Sequence, residues 1–339
     1  MRVTIRCLIQ PSLVNFNKYD LLRNIVLNTA STASPEHTSP ITDDPSIETI
    51  KKHVLNRKTN VNSKKKRIIT APQWVNFNVK YNNNFDSSLP KQMAEANQFF
   101  NKAKVEFEWG AVSFDSLPSE IVREKFKERT KDSPISKNPT KKYPGKTSIP
   151  FKLINGLPEI TFLGRSNAGK STILNNLLTQ LGSSKLTEEA RMSSRPGFTK
   201  TLNCFNIGNK FRLIDTPGYG FGSKFDQGSL TMKYIEDRKE LVRCFVLIPA
   251  NQGFTSLDLQ IIDYLKNIGK PFEVVFTKMD KVKDLEVLKK QIQDSGILNF
   301  PTLPKLIFTN SVTSKNCQKR YGITELRKTI LQSCNMLQN

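Results

Sequence analysis

The feature that most constrains this chain is a nine-residue loop, which reads Gly164, Arg165, Ser166, Asn167, Ala168, Gly169, Lys170, Ser171 and Thr172. An apolar run precedes the loop and apolar residues at helical spacing follow it, so it lies at a strand-to-helix turn. Its glycines let the backbone N–H groups face inward at a helix N-terminus, where partial positive charge favours phosphate. The pattern predicts a phosphate-binding loop in which Lys170 reaches the terminal phosphates and Ser171 binds Mg²⁺.

Composition narrows the chemistry available around this loop. The 339 residues are 37% apolar, which favours one nucleotide-binding domain with polar appendages over two packed domains. The five cysteines are scattered without a C-x-x-C pair, so they are interpreted as reduced thiols rather than zinc ligands. The two histidines, His37 and His53, lie far upstream of the loop, which argues against imidazole catalysis in the nucleotide domain.

The net charge of +22 is spread along the chain. Residues 1–150 hold 25 Lys and Arg against 14 Asp and Glu, and the remainder holds 27 against 16, so each part carries +11. A polyanion such as nucleic acid, or an anionic membrane surface, is the indicated partner, with solvated lysines as the alternative. No apolar run reaches the 18 or so residues of a membrane span, which predicts no transmembrane segment.

The amino-terminal part is polar and basic. Residues 1–35 carry four basic residues and one acid, with Ser, Thr and Asn interleaved, which predicts a mitochondrial transit peptide. A disordered basic terminus is the alternative. Residues 36–91 are interpreted as a disordered basic linker, in which Trp74, Phe77 and Tyr81 could also stack on RNA.

The folded domain is predicted at residues 92–339, beginning with a helix that runs into a short strand over residues 92–109. Residues 112–147 are interpreted as a polar insertion with a helix-compatible centre. After Pro158, apolar runs of strand length alternate with stretches of helix length, which predicts an α/β fold with a mostly parallel six-stranded sheet and helices on both faces. Gly208 and Asn209 join two strands as a hairpin at one edge.

The predicted elements of this second part can be given by residue number. The strands are at residues 159–163, 202–207, 211–215, 244–249, 272–277 and 306–310. The helices are at residues 171–181, 229–242, 256–268, 285–295 and 323–336.

Polar residues follow several of these strands, at the edge where ligands bind in such sheets. Asp215 ends one strand and is positioned to hold Mg²⁺ through water, and the N–H of Gly218 is positioned to sense a γ-phosphate. Between the two motifs, Pro196, Gly197 and Thr199 belong to a segment without periodicity, in which Thr199 could give Mg²⁺ a second hydroxyl. Lys170, Thr199 and Gly218 are thus the predicted catalytic set, and Ser171, Thr199 and Asp215 the predicted metal set.

The base-binding residues are predicted at the ends of the last two strands. Thr277, Lys278 and Asp280 follow a buried run, and the Asp280 carboxylate can accept bonds from guanine N1–H and the 2-amino group, which adenine lacks. Asn310 and Ser311 end the final strand, where the Ser311 N–H can meet guanine O6. The nucleotide is therefore predicted to be GTP or GDP rather than ATP, which leaves an ATP-dependent kinase as a distant alternative.

These motifs resemble those of the TRAFAC GTPases and, within them, the EngB family of ribosome-assembly GTPases. The resemblance covers residues 92–110 and 157–337 and rests on the loop at 164–172, the segments at 195–199, 215–220 and 257–260, and Thr277 to Asp280. It implies a P-loop NTPase fold of the Ras-like G-domain type and a role in assembling the large ribosomal subunit. Residues 249–251 and Asn310 depart from the family pattern.

The resemblance and the transit-like terminus together predict a GTPase of the mitochondrial matrix, acting on the large ribosomal subunit and its rRNA and monomeric off the ribosome. Tyr219 stands where Ras-like enzymes have a water-orienting glutamine, so intrinsic hydrolysis is predicted to be slow. Asn167 is either a K⁺ ligand beside the phosphates or a residue that serves the loop turn. A non-catalytic GTP-responsive scaffold at a membrane or protein complex is the alternative function.

Overall fold

The computed structural model describes residues 71–85, 90–131, 156–183, 185–190, 200–219, 225–313 and 317–337. The predicted transit peptide and the carboxyl-terminal half of the predicted insertion lie outside these residues. The segment with Pro196, Gly197 and Thr199 lies outside them too.

The described residues form one seven-stranded sheet in the order β1-β3-β4-β2-β5-β6-β7. Its strands are β1 (Val105–Ala111), β2 (Glu159–Gly164), β3 (Leu202–Ile207), β4 (Phe211–Asp215), β5 (Leu241–Pro249), β6 (Phe272–Thr277) and β7 (Leu306–Phe308). From β4 to β7 every neighbouring pair is parallel, whereas β1 and β3 are antiparallel to their neighbours. The predicted α/β class is confirmed, with one strand more than the six predicted.

The extra strand is β1, the short strand expected after the first helix. It pairs with β3 and so takes the edge position that the sequence had assigned to the hairpin. The hairpin itself is confirmed, because β3 and β4 pair antiparallel and Gly208 and Asn209 have φ of 58° and 54°. Two consecutive positive φ angles are what a tight turn between twisted strands requires.

Helices cover both faces of the sheet and enclose two apolar cores. They are α1 (Phe77–Lys80), α2 (Pro90–Lys102), α3 (Pro118–Lys131), α4 (Lys170–Leu178), α5 (Phe225–Asp237), α6 (Ser256–Asn267), α7 (Leu285–Asp294) and α8 (Ile323–Ser333). The predicted helix at 229–242 ends early, since Leu241 and Val242 already pair within β5 beside β2. The last strand also ends early, at Phe308, because residues 309–311 turn away as a loop.

Residues 71–85 belong to the folded domain rather than to the predicted linker. A 3-10 helix (Gln73–Asn76) leads into α1, and the side chains of Trp74 and Phe77 are buried in the core. These rings pack against Tyr321 and Phe308. Trp74 and Phe77 are therefore not available for stacking on RNA, since their rings are covered by protein.

The amino-terminal half of the predicted insertion is likewise part of the fold. Leu117 is fully buried, and Arg123 of α3 is buried in ion pairs with Glu120 and Glu240. In a helix this rich in charge, the pairing explains why one arginine points inward. Among the described residues, no helix combines the length and apolar character needed to cross a membrane.

Near the amino-terminal ends of the central strands lies a charged group, termed here the far-end cluster, in which Glu159, Arg212, Tyr234 and Arg238 are buried and Glu108 is exposed. Glu159 at the start of β2 accepts bonds from the Tyr234 hydroxyl at 2.6 Å and from Arg238 at 2.6 and 2.8 Å. Arg212 of β4 donates two bonds to Glu108 of β1, at 2.6 and 2.7 Å. These paired charges join four elements at the end of the sheet away from the predicted site.

Candidate functional site: a phosphate loop and a base-binding edge

The phosphate loop connects β2 to α4, as its sequence predicts. Gly164 is closely packed, because a Cβ there would lie 3.0 Å from both the Leu247 carbonyl oxygen and the Ala168 side chain. Asn167 and Gly169 have φ of 63° and 99°, in the left-handed region that Gly adopts freely and Asn tolerates. The loop thus curls ahead of the first turn of α4.

Four side chains at this loop form the phosphate pocket: Ser166, Lys170, Ser171 and Asp215. Lys170 is buried, and its Nζ donates to the carbonyls of Gly164 at 3.0 Å and Arg165 at 3.2 Å. Burial lowers the pKa of Lys170 to about 8, although the nearby Asp215 carboxylate acts in the opposite direction. A desolvated ammonium at this position gains stability from an anion placed beside it.

Asp215 at the end of β4 faces the first turn of α4. Ser171 Oγ donates to its Oδ2 at 2.8 Å, which brings together the two predicted Mg²⁺ residues that the structure describes. Burial raises the pKa of the Asp215 carboxyl, and Lys170 and the Ser171 bond partly offset this. Asp215 Oδ1 and Ser166 Oγ are buried without a hydrogen-bond partner among the described residues.

This donor set fits a hard cation. Mg²⁺ takes oxygen ligands, keeps several waters and is held in nucleotide sites by one or two protein oxygens together with phosphates. A hydroxyl and a half-satisfied carboxylate in contact supply such oxygens. Among the described residues, no cluster of three His, Cys, Asp or Glu side chains could hold a metal by itself.

Gly218 and Tyr219 lie across the phosphate loop. The Ser166 N–H donates to the Tyr219 carbonyl at 3.0 Å, and the Tyr219 N–H donates to the Gly164 carbonyl at 3.3 Å. A Cβ on Gly218 would sit 2.8 Å from the Ser166 backbone nitrogen and 3.0 Å from Lys170 Nζ. The segment after Asp215 therefore contacts the phosphate loop directly, through a glycine that no larger residue could replace.

The Tyr219 side chain is fixed by a buried carboxylate. Its hydroxyl donates to Asp258 Oδ1 at 3.0 Å, and Arg165 of the loop approaches Asp258 Oδ2 at 3.1 Å. Burial, followed by the charge of Asp258, raises the pKa of Tyr219 well above its ordinary value. The sequence interpretation did not assign this role to Asp258, although Thr255 and Asp258 are spaced as the capping box that begins α6.

The predicted base-binding residues Thr277 and Lys278 are tied to the phosphate loop. Thr277 Oγ1 donates to the Ala168 carbonyl at 2.7 Å, and Lys278 Nζ donates to the Asn167 carbonyl at 2.6 Å. Burial, and then the charge of Lys281, lowers the pKa of Lys278. Asp280 is half-buried in a 3-10 helix (Met279–Lys281) directly after β6. The two predicted halves of the site therefore share one edge of the sheet.

Asn310, which is predicted to bind the nucleotide, makes its side-chain hydrogen bonds within the protein. Its side chain is fully buried, where its amide donates to the carbonyls of Val312 and Lys319 and its Oδ1 accepts from the Tyr321 N–H at 2.7 Å. The side chain of Asn310 therefore shapes the loop after β7, and its contact with a nucleotide stays a prediction. Ser311, the next residue of the loop, is half-buried. The start of this loop is joined to the 3-10 helix that contains Asp280, because the Met279 N–H donates to the Thr309 carbonyl.

Comparisons with known proteins find relatives of this chain among GTP-binding proteins. A profile of the family described as "50S ribosome-binding GTPase" matches residues 159–278. The Saccharomyces cerevisiae protein "MIOREX complex component 8" is 43% identical over 93% of this chain and 95% of its own length. The Caulobacter vibrioides "Probable GTP-binding protein EngB" is 36% identical over 52% of this chain and 76% of its own length. A solved engB crystal structure aligns with 53% of this chain and all of that chain, at 22% identity and a TM-score of 0.39.

The identity and coverage of the yeast and Caulobacter relatives exceed what shared fold alone produces, and the residues that match the family profile include the phosphate pocket and Thr277. Residues 71–85 fall within the span shared with the yeast relative, whereas the bacterial relative covers about half of the chain. The loop, the Asp215 motif and the base-binding edge are the parts expected of a guanine-nucleotide site that works with Mg²⁺. The chain therefore belongs to the EngB family of GTP-binding P-loop GTPases.

Proposed function

We propose that this protein binds GTP with Mg²⁺, hydrolyses it slowly and uses the two nucleotide states as a switch in assembly of the large subunit of the mitochondrial ribosome. The observation that carries the switch is the pairing of Gly218 and Tyr219 with the phosphate loop. A γ-phosphate between Lys170 and Gly218 would have to displace or tighten this contact. The segment after Gly218 would then take different positions with GTP and GDP.

The site supports assigned roles for the pocket residues. Lys170 would bind the β- and γ-phosphates, and Ser171 and Asp215 would hold Mg²⁺, which supplies charge neutralisation of the phosphates when bound. Ser171 can keep donating its hydroxyl hydrogen to Asp215 in this arrangement, because a lone pair of the same oxygen would be available to the metal. Thr199, with Pro196 and Gly197, remains the proposed second hydroxyl and its loop.

Guanine selection is assigned to Asp280. This residue is the second of the 3-10 helix Met279–Lys281, which is hydrogen-bonded to the start of the loop that carries Ser311. Its carboxylate would accept bonds from N1–H and the 2-amino group, and the Ser311 N–H would donate to O6. Lys278 would cover one face of the base with its stem while its ammonium stays on the Asn167 carbonyl.

The proposal of slow hydrolysis is supported by the environment of Tyr219. The residue that replaces the usual glutamine is buried, and its hydroxyl is already used by Asp258. A side chain held this way cannot orient an attacking water, so acceleration would come from a partner or from K⁺ near Asn167. The positive φ of Asn167 supports the turn role for this residue independently of K⁺. Equal single-turnover rates in Na⁺ and K⁺ buffers would remove the cation from the mechanism.

The ribosome as partner is supported by the family description "50S ribosome-binding GTPase" and by the net charge of +22, which suits an RNA surface. The matrix location rests on the transit-like composition of residues 1–35.

The deciding experiment compares sedimentation of the protein with purified mitochondrial large subunits in GTP-analogue and GDP, over a series of salt concentrations. Binding that needs the GTP state, weakens with salt and yields rRNA crosslinks supports the proposal. Equal binding in both nucleotides, or crosslinks to proteins or lipid without rRNA, would point instead to a GTP-responsive scaffold at a membrane or protein complex.

A further inference from the structure

The segment at residues 71–85, termed here the strap, covers the free edge of β7. Strand β7 is three residues long and pairs with β6 on one side. On that side the Val274 N–H reaches the Lys305 carbonyl and the Thr309 N–H reaches the Phe276 carbonyl. The N–H and C=O groups of Leu306 and Phe308 therefore point to the opposite, outer edge.

Two asparagines of the strap satisfy all four of these outer groups. Asn82 accepts from the Leu306 N–H at 3.0 Å and donates to the Leu306 carbonyl at 2.8 Å. Asn78 accepts from the Phe308 N–H at 2.8 Å and donates to the Phe308 carbonyl at 3.0 Å. Each amide thus binds one residue of β7 as a neighbouring strand would.

The spacing of the two partners makes this pairing possible. Asn78 and Asn82 are one helical turn apart, with a rise of about 5–6 Å, while Leu306 and Phe308 are two strand residues apart, or about 6.5 Å. Phe77 packs edge-on against Phe308 at 5.4 Å between ring centroids, and Phe308 stacks on Phe276 of β6 at 4.8 Å. The strap is therefore bound to β7 by both its polar and its apolar side chains.

Strand β7 leads directly into the loop that carries Ser311, and the strap also reaches the far side of that loop. Trp74 packs edge-on against Tyr321 at 5.9 Å, and the Tyr321 N–H donates to Asn310 Oδ1. The strap consequently touches the chain before the loop and the chain after it. A loop held at both stems by the same segment moves with that segment.

We infer that the strap is a positioning element for guanine recognition, which holds the Ser311 N–H where O6 of the base must meet it. This inference rests on the proposed guanine site at Asp280 and Ser311. A hydrogen bond is strong only within a few tenths of an ångström of its ideal length, and the strap makes the outer hydrogen bonds of the three-residue strand that leads into the loop. Strap residues Asn78 and Asn82 therefore act on the base through β7 without contacting it.

The test combines changes in the strap with a change of one ligand atom. GDP and 6-thio-GDP differ in having oxygen or the weaker acceptor sulfur at position 6, so their affinity ratio reports the O6 contact alone. For the unaltered chain the ratio is expected to favour GDP by about five- to tenfold, the worth of one ordinary hydrogen bond. In the double variant Asn78→Asp and Asn82→Asp, each new carboxylate faces a carbonyl of β7, and the ratio should fall towards one.

Controls separate positioning from stability. Asn83→Asp makes the same charge change on an exposed residue of the strap and should keep the ratio. A strap that only stabilised the fold would lower the affinity for both nucleotides equally and leave the ratio unchanged, which would overturn the inference. If the double variant does not fold, Asn82→Asp alone, which keeps the Asn78 pair, should give an intermediate ratio, and an unchanged ratio there counts against the inference in the same way.

The guanine site itself is tested separately with Asp280→Asn. An amide can donate to the 2-oxo group of xanthine, so this variant should shift preference from GDP towards xanthosine diphosphate. If it does and the strap variants leave the 6-thio ratio unchanged, only the role of the strap is wrong. If Asp280→Asn leaves base preference unchanged, the proposed guanine site is wrong.

Discussion

The two ends of the central strands treat buried charge in opposite ways. In the far-end cluster, Glu159 accepts from Tyr234 and Arg238, and Arg212 is paired with Glu108. In the phosphate pocket, Asp215 Oδ1 is buried without a hydrogen-bond partner among the described residues, and burial lowers the pKa of Lys170. Folding alone compensates the first set of charges, whereas the second set is compensated only in part until an anion and a cation bind.

This contrast separates stability from function along a single strand. Strand β2 begins with Glu159 in one set and ends with Gly164 at the other, a span of six residues. Substitutions at its start should change the free energy of unfolding and spare nucleotide binding. Substitutions of Lys170 or Asp215 in the phosphate pocket should change nucleotide binding and leave the nucleotide-free protein at least as stable as the unaltered chain.

The largest effect is expected from Glu159→Gln. Removing this charge leaves Arg238 and its neighbours without their main counter-ion, so the free energy of unfolding should fall by about 3–5 kcal/mol in urea titrations. GDP affinity of the remaining folded protein should be unchanged. Glu286→Gln removes a solvent-accessible pair with Lys289 and should leave the free energy of unfolding almost unchanged. Equal losses in the two variants would break the comparison.

Asp215→Asn should act in the opposite sense. It removes a carboxylate whose pKa burial has raised, so the nucleotide-free protein should be at least as stable as the unaltered chain. Because the carboxylate would hold Mg²⁺ through water, Mg²⁺-dependent GTP affinity should fall by about 10–100-fold. Calorimetric titration with and without Mg²⁺ measures this difference, and a destabilised protein with normal Mg²⁺ dependence would contradict it.

The pH dependence of stability provides a smaller but specific signal. Lys170 has a pKa of about 8 in the folded protein against an ordinary value of 10.5. Between these values the unfolded chain binds more protons, so the contribution of Lys170 to the free energy of unfolding increases as pH rises through this window. The difference between the unaltered chain and Lys170→Met should show this rise.

Saturating GDP should remove the rise, since the phosphates restore the charged form of Lys170. The exposed Lys127→Met serves as the control for loss of a lysine elsewhere. Parallel pH profiles for the unaltered chain and Lys170→Met would argue against a desolvated lysine in the pocket.

The smallest effect is expected from Tyr219→Phe. Tyr219 lies beside the phosphate pocket, but its hydroxyl already donates to the buried Asp258, as the Tyr234 hydroxyl of the far-end cluster donates to Glu159. Its hydroxyl is therefore not free to act on water, and the single-turnover rate of GTP hydrolysis should change by less than about threefold, or less than about 0.7 kcal/mol in the barrier. A loss of a hundredfold would assign the hydroxyl to catalysis.

The sequence predicted those features that depend on local pattern. Apolar runs gave the strands from β2 to β6 within a few residues, and the polar residues that follow them, Asp215 and Thr277 among these, do meet at one edge. The phosphate loop was recognisable because its glycines serve backbone geometry, which leaves a fixed spacing in the chain.

Features that depend on distant partners escaped this reasoning. Arg123 resembles any exposed helix arginine until Glu240, 117 residues away, is placed beside it. Asn78 and Asn82 lie in a polar stretch without periodicity, and their function is defined by the outer edge of β7. The position of Asn310 at the end of a strand predicts a contact with the nucleotide, whereas its side-chain amide donates to the carbonyls of Val312 and Lys319 in the loop after β7.

The separation of the strap from its partner also has a consequence for how the chain is made. Asn82 and Leu306 are 224 residues apart, so their contact cannot form until almost the whole sequence has emerged from the ribosome that synthesises it. Until then Trp74 and Phe77 have no apolar surface to cover them, although they were translated early. Docking of the strap is therefore a late folding step that closes a loop of 224 residues, and it leaves an interval in which chaperones that bind exposed aromatic segments can hold the unfolded chain.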